Sequence, residues 1–297
     1  MSPRSPRAGC TLPSSFFSQP SVGLDPDLFD GEDMKEDVRT GLLNLLYSDL
    51  EDDLGFEQPW NWTCAWLAGS GASYQWEADR GNGDLDVLFG VDFPGFLVDN
   101  PHFPRLPEAE VARYTDKMLK ARSWPKTRNV SIGGSKKRYE ITFYWNPGMG
   151  TDIRTIHAYA AYDLIMDRWD VKPPVLPKDP HTLYPSQWYE MTDRDYANVW
   201  AVQDMYYGRH PSDRVQGLNT ARALWNDIHG GRQQAFGDTG LGYADWHNFR
   251  WQRAKESGAA EILRGILADA APTEEEDTSN DIITRAALRY ATDRYYI

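Results

Sequence analysis

Asp84-Leu85-Asp86 opens a β-rich run, Leu85 to Val91, bounded by Gly81-Asn82-Gly83 and Pro94. On a strand, side chains two residues apart project to the same face. Asp84 and Asp86 therefore point together, and two carboxylates so close repel each other unless a cation lies between them. A donor set made only of oxygens suits Mg²⁺ or Mn²⁺. Upstream, Gly69-Ser70 closes an apolar run, Thr63 to Ala68. Small residues at a strand end let backbone N–H groups approach a phosphate, and the Ser70 hydroxyl and the start of a following helix would add donors. Taken singly, Asp-x-Asp reads as a pair of surface acids and Gly-Ser-Gly as a tight turn. The ordered combination is far more specific, and its chemistry is the handling of a metal-bound triphosphate.

These groups need a sheet to hold them. The chain has 297 residues, 41% hydrophobic and 13% aromatic, enough for one large or two modest domains with real cores. The spacing of Met34, Val38, Leu42, Leu45, Leu46 and Leu50 predicts an amphipathic helix, ended by Gly55 and Pro59. Strands are expected over Thr63–Ala68 and Leu85–Val91, a helix over 107–122, and a hairpin from Val130-Ser131-Ile132 through a Gly133-Gly134-Ser135 turn to Tyr139–Trp145. A further strand-like stretch spans Ile156–Val171 and stops at Pro173-Pro174. Beyond the proline-rich linker, residues 187–270 read as helices, followed by an acidic segment near 273–281 and a last helix from Ile282 to about Tyr295. The expected fold class is α+β: a disordered arm over 1–22, a mixed-sheet domain over 23–175 and a mostly helical domain over 176–297.

Bulk properties narrow the setting. Two cysteines, Cys10 and Cys64, form neither a disulfide framework nor a Cys-x-x-Cys pair, so a reducing, cytoplasmic compartment is expected. No apolar run reaches membrane-span length, so no membrane partner is expected, and the Ser/Pro-rich N-terminus lacks the apolar centre of a secretory signal. A net charge of −13 disfavours generic nucleic-acid binding. The charge is uneven, however. Arg113, Lys117, Lys120, Arg122, Lys126, Arg128, Lys136, Lys137 and Arg138 form a basic block, which suits a phosphate-bearing ligand or is simply a solvated face.

The stretch LAGSGAS…GDLDVLFGVD resembles the DNA polymerase β-like nucleotidyltransferase superfamily. It looks most like the branch of archaeal CCA-adding enzymes and oligoadenylate-synthase-like cyclic-nucleotide synthases. The resemblance covers residues 63–92 and extends to about 175. It implies a metal-dependent enzyme that moves a nucleotidyl group from an NTP, such as ATP, to a hydroxyl on an RNA 3′ end, a nucleotide or a small molecule. Asp84 and Asp86 would bind Mg²⁺ or Mn²⁺, and Gly69 and Ser70 would hold the terminal phosphates. A third acid would come from a later strand. Asp163, set among apolar residues, is the choice, as metal ligand and base for the attacking hydroxyl. Glu140 and Asp167 are its rivals. Lys117 and Lys120, one helical turn apart, would add charge to the triphosphate. A non-catalytic nucleotide-binding or regulatory module is the alternative, and convergence of a third acid on the pair discriminates the two.

Other signals fall away. Gly133-Gly134-Ser135-Lys136-Lys137 lacks the order of a phosphate loop. The six histidines show no zinc spacing, and no Gly-x-Ser-x-Gly elbow is present. The aromatic-basic run Tyr243, Trp246, His247, Phe249, Arg250, Trp251 and Arg253 reads as a packed helix in preference to a stacking platform for bases.

Overall fold

In the computed structural model, helix α1 (Glu36–Ser48) lies on one face of a six-stranded mixed sheet, and the described residues are 15–76, 83–101, 110, 126–134, 136–145, 152–237 and 239–270. The strands are β3 (Thr63–Ala68), β4 (Gly83–Val91), β5 (Lys126–Val130), β6 (Tyr139–Trp145), β7 (Ala161–Asp163) and β8 (Arg168–Val171), in the order β5-β6-β4-β3-β7-β8. A small separate ribbon pairs β1 (Phe29–Asp30) with β2 (Asp33–Met34), and a short helix α2 (Phe93–Asp99) follows β4. Strand β4 runs antiparallel to β3 and parallel to β6.

The 3.6-residue period of α1 and the two-residue period of the strands meet in one core. Val38, Leu42 and Leu46 of α1 are buried against Ala65 and Leu67 of β3, Leu85, Val87 and Phe89 of β4, and Ile141 and Phe143 of β6. Burying the odd-numbered residues of β4 fixes its register, because a one-residue slip would send every apolar side chain to the other face. Asp84, Asp86 and Leu88 are thereby turned to the opposite face, where Leu88 packs near Trp66, Ile153 and Ala161.

The stretch expected as one strand over 156–171 is a hairpin instead, β7-turn-β8. Asp163 causes the turn: its Oδ1 accepts the backbone N–H groups of Ile165 (2.8 Å) and Met166 (2.9 Å), and Asp167 takes a left-handed φ of 53°. A hairpin joins β5 and β6, but its first arm is Lys126–Val130 and not the expected Val130–Ile132; Gly133 and Gly134 in the connection are both at positive φ.

The second half is helical, with α3 (Ser186–Tyr206), α4 (Pro211–Trp225), α5 (Arg232–Ala235), α6 (Trp246–Glu256) and α7 (Ala259–Asp269). Val199, Val202, Tyr206, Ala221, Trp251, Leu263 and Ile266 form their common core. The aromatic-basic run lies in this packing: Phe249 and Trp251 are buried, Arg250 pairs with Asp195 and Asp227, and Arg253 pairs with Asp193 and Glu256.

Part of the arm expected to be disordered is packed. Phe16 and Phe17 are buried with Tyr184, Tyr243 and Phe249, and Gln75 donates from Nε2 to the Phe16 carbonyl. Tyr243 Oη also donates to Gln75 Oε1 at 3.2 Å. Residues 16 and 17 thus tie the loop after β3 to the helical half. The expected helices over 107–122 and 282–295, with Lys117 and Lys120, lie outside the described residues. No helix among the described residues is long and apolar enough to cross a membrane.

Candidate active site

Register brings the Gly-Ser turn and the acid pair together. Ala68, the last residue of β3, pairs with Asp86 on β4, so Gly69 turns away directly beside the Asp86 side chain. Gly69 has φ 70° and ψ −155°, a conformation natural only to glycine. A Cβ on Gly69 would lie 2.5 Å from Asp86 Oδ2. The chain then makes a single 3-10 turn, Ser70–Ala72, held by Ala72 N–H to the Gly69 carbonyl at 3.3 Å and Ser73 N–H to the Ser70 carbonyl at 3.0 Å. The helix start expected to add phosphate donors is this one turn and no more.

Asp84 is solvent-exposed and Asp86 half-buried, yet protein surrounds both on several sides. Burial, then the charges of Asp86 and Glu140, push the Asp84 carboxyl up to about 7. Burial also raises Asp86, against the opposing pull of Arg232, Lys255 and a hydrogen bond from Tyr144. Arg232 begins α5 and Lys255 lies on α6, so the helical half supplies cations to carboxylates held by the sheet. Burial and the neighbouring Arg232 lower the Lys255 ammonium to about 8, while Asp86, Asp84 and Glu261 oppose that shift. Burial, with Asp86 and Asp84, carries the Tyr144 phenol up to about 12. Tyr159 is raised too, first by burial and then by Asp86.

Asp163 does not join this group. It pairs with Trp66, two strands across and two residues along from Asp86, which puts roughly 12 Å between the two backbones. Burial raises its carboxyl, the Met166 and Ile165 N–H groups oppose the shift, and the charges that act on it are Asp170 and Arg168. Its two backbone bonds already use it as a turn cap. Asp167 is further along the same turn, bonded to Tyr162 Oη and Arg39. Glu140 is the acid beside the pair: it is the register partner of Asp84 on parallel strand β6 and shares its face. Among the described residues no three His, Cys, Asp or Glu side chains converge tightly enough to hold one ion, so Asp84 and Asp86 form a pair with Glu140 flanking it.

Arg232, Lys255, Tyr144 and Tyr159 were not legible as site residues in the sequence. Lys255 lies two residues beyond the aromatic-basic run, and only the packing of α6 shows which face it takes. The described members of the basic block are largely committed elsewhere. Arg128 pairs with buried Asp49, Lys137 pairs with Asp25 at 3.0 Å, and Arg138 donates to the Asn129 carbonyl. Comparisons with protein-family models, curated proteins and solved structures find no match to this chain.

Proposed function

We propose that this protein is a metal-dependent nucleotidyltransferase, transferring a nucleotidyl group from an NTP to a hydroxyl acceptor with release of pyrophosphate. The observation that carries the reading is the juxtaposition at Gly69 and Asp86: a side-chain-free turn against one carboxylate of a same-face pair, with Lys255 and Arg232 facing that pair. The resemblance of residues 63–92 to polymerase β-like nucleotidyltransferases supports it, as does an acid pair on a strand of a mixed sheet beside a helical half. The donor set fits a divalent cation, because two oxygen-only carboxylates, one raised to about 7 by burial and its acidic neighbours, are relieved by a cation. Asp84 and Asp86 would hold it. Such a cation, when bound, neutralises triphosphate charge and lowers the pKa of an attacking hydroxyl.

The chain's own groups do the rest. The backbone of the half-buried Gly69-Ser70 turn would receive a terminal phosphate. Lys255 and Arg232 balance the charge that builds on the leaving pyrophosphate. Glu140, exposed and beside Asp84, takes the proton from the acceptor hydroxyl as its oxygen bonds to the α-phosphorus and the bond to pyrophosphate breaks. Glu140 replaces Asp163 in this role. The two-cysteine composition supports a reducing, cytoplasmic setting.

Incubating the protein with Mg²⁺ or Mn²⁺, each labelled NTP in turn and total RNA tests the reading. The expected result is pyrophosphate release and a labelled product, both lost in Asp84→Ala/Asp86→Ala. Activity that survives this double substitution overturns the mechanism. The want of a tight three-acid cluster among the described residues favours a second reading, a non-catalytic nucleotide-binding module, for which metal-dependent NTP binding without turnover is the expected result.

A further inference from the structure

Gln75 is a buried polar side chain that the reading above leaves unused. It lies in the loop that leaves β3, just beyond the Ser70–Ala72 turn. Its Nε2 donates to the Phe16 carbonyl and, at 3.3 Å, to the Ser18 carbonyl. Tyr243 Oη lies 3.2 Å from Gln75 Oε1 and 3.3 Å from the Phe16 carbonyl. Carbonyls only accept, so the two arm carbonyls fix which end of the amide is nitrogen and leave Oε1 for the tyrosine. Without these partners, burying the amide would cost free energy. An apolar side chain would hold the arm by packing alone. The amide adds direction, because its bonds close together at only one placement of the loop.

The same residue is bonded back to the phosphate turn. Its backbone N–H donates to Ser73 Oγ at 3.1 Å, and Ser73 donates from both Oγ and N to the Ser70 carbonyl, each at 3.0 Å. On its other side, Tyr243 leads into α6. Asn248 Nδ2 donates to the Tyr243 carbonyl at 3.4 Å, and Lys255 lies further along that helix. The Tyr243 ring stacks on Phe16 at 4.5 Å and meets Tyr159 edge-on at 5.4 Å. A bonded path thus runs from the Ser70 carbonyl through Ser73, Gln75 and Tyr243 to the helix that carries Lys255.

We infer that Gln75 is a positioning residue that fixes the Gly69-Ser70 turn relative to α6, so that a triphosphate meets the turn and Lys255 at once. The inference rests on the nucleotidyltransferase reading and deepens it. The sheet supplies the turn and the acids, the helical half supplies the cations, and the Gln75 amide sets the spacing between them.

The test uses three variants of the full chain. Gln75→Met keeps the length of the side chain and loses its bonds. Tyr243→Phe keeps the ring and loses only Oη. Tyr206→Phe is the control, losing a bond to Asp269 within the helical half. Hydrogen exchange read by mass spectrometry follows residues 69–76, and Mn²⁺ with a non-hydrolysable ATP analogue is titrated in parallel. Gln75→Met is expected to speed exchange over 69–76 and to weaken analogue binding about tenfold, within what a sub-ångström misplacement of a binding group costs. Tyr243→Phe should move both the same way by less. Tyr206→Phe should lower the melting temperature and leave both unchanged. Wild-type exchange and affinity in Gln75→Met and Tyr243→Phe overturn the inference, whatever their melting temperatures. Faster exchange over 69–76 in the two variants of a chain that binds no Mn²⁺-analogue would keep the tether and remove the nucleotidyltransferase reading. Analogue binding of equal affinity in wild type and both variants would keep that reading and remove this inference.

Discussion

The Asp86 carboxylate occupies the space that a side chain on Gly69 would fill, with a Cβ there only 2.5 Å from Asp86 Oδ2. Gly69→Ala therefore meets two penalties, a backbone at φ 70° and a collision with the acid. The expected cost is about 1–3 kcal/mol of stability. Activity per folded molecule should drop about tenfold or more as Asp86 is displaced, since each 1.4 kcal/mol of lost transition-state stabilisation is a factor of ten. Gly134→Ala is the control: its φ is 68°, but nothing lies within 4 Å of its Cβ position. It should lose stability and keep activity. Melting curves and single-turnover rates on both variants separate strain from displacement.

Glu140 and Asp163 should part company on substitution. Glu140→Gln removes the acid beside Asp84 and is expected to lower turnover by about 10²–10⁴-fold, the range of general base catalysis, with little change in melting temperature. Asp163→Ala leaves the Ile165 and Met166 N–H groups without their acceptor, at about 1–3 kcal/mol, with near-normal turnover. The opposite pattern would restore Asp163 to the site.

The sheet and its acid pair were legible because their signals are local and periodic. Asp84-x-Asp86 on an alternating strand, the α1 spacing and the glycine turns all act within a few residues. Asp163 was misread because an acid among apolar residues looks the same whether it holds an ion or caps a turn, and only the two N–H groups it accepts decide between them. Lys255 and Arg232 were not legible because their roles depend on how α6 and the start of α5 dock on a distant sheet. Phe16 and Phe17 sit in a Ser/Pro-rich stretch that reads as an arm, and their burial is supplied by residues more than 150 positions away, Tyr184, Tyr243 and Phe249.

Metal and proton should compete at Asp84. Its folded-state carboxyl, raised to about 7, lies above its unfolded value near 4, so the folded protein binds more protons between these limits. The stabilising contribution is therefore full below the unfolded value and is lost as pH rises through about 7, the reverse of an ion-paired aspartate. A bound cation takes the deprotonated form, so Mg²⁺ should raise the melting temperature more at about pH 8 than at about pH 6. In Asp84→Asn the two increments should converge. Equal increments in wild type would contradict a metal at Asp84.

Lys255→Met should raise the KM for NTP about 10–100-fold, the worth of one hydrogen bond to a charged group, with a smaller change in kcat. Because the Lys255 ammonium is lowered to about 8, NTP affinity in wild type should fall as pH climbs through that value. That pH dependence should be absent from the variant, as measured by KM across the range. A KM unchanged in Lys255→Met would remove it from the triphosphate site.

The most direct test of the account is Mn²⁺ binding, followed by electron paramagnetic resonance in the presence of a non-hydrolysable ATP analogue. Wild type should take up Mn²⁺ with the nucleotide, and Asp84→Asn/Asp86→Asn should abolish that uptake while keeping its melting temperature. Undiminished Mn²⁺ uptake in the double variant would contradict the claim that these two aspartates hold the metal beside the Gly69 turn.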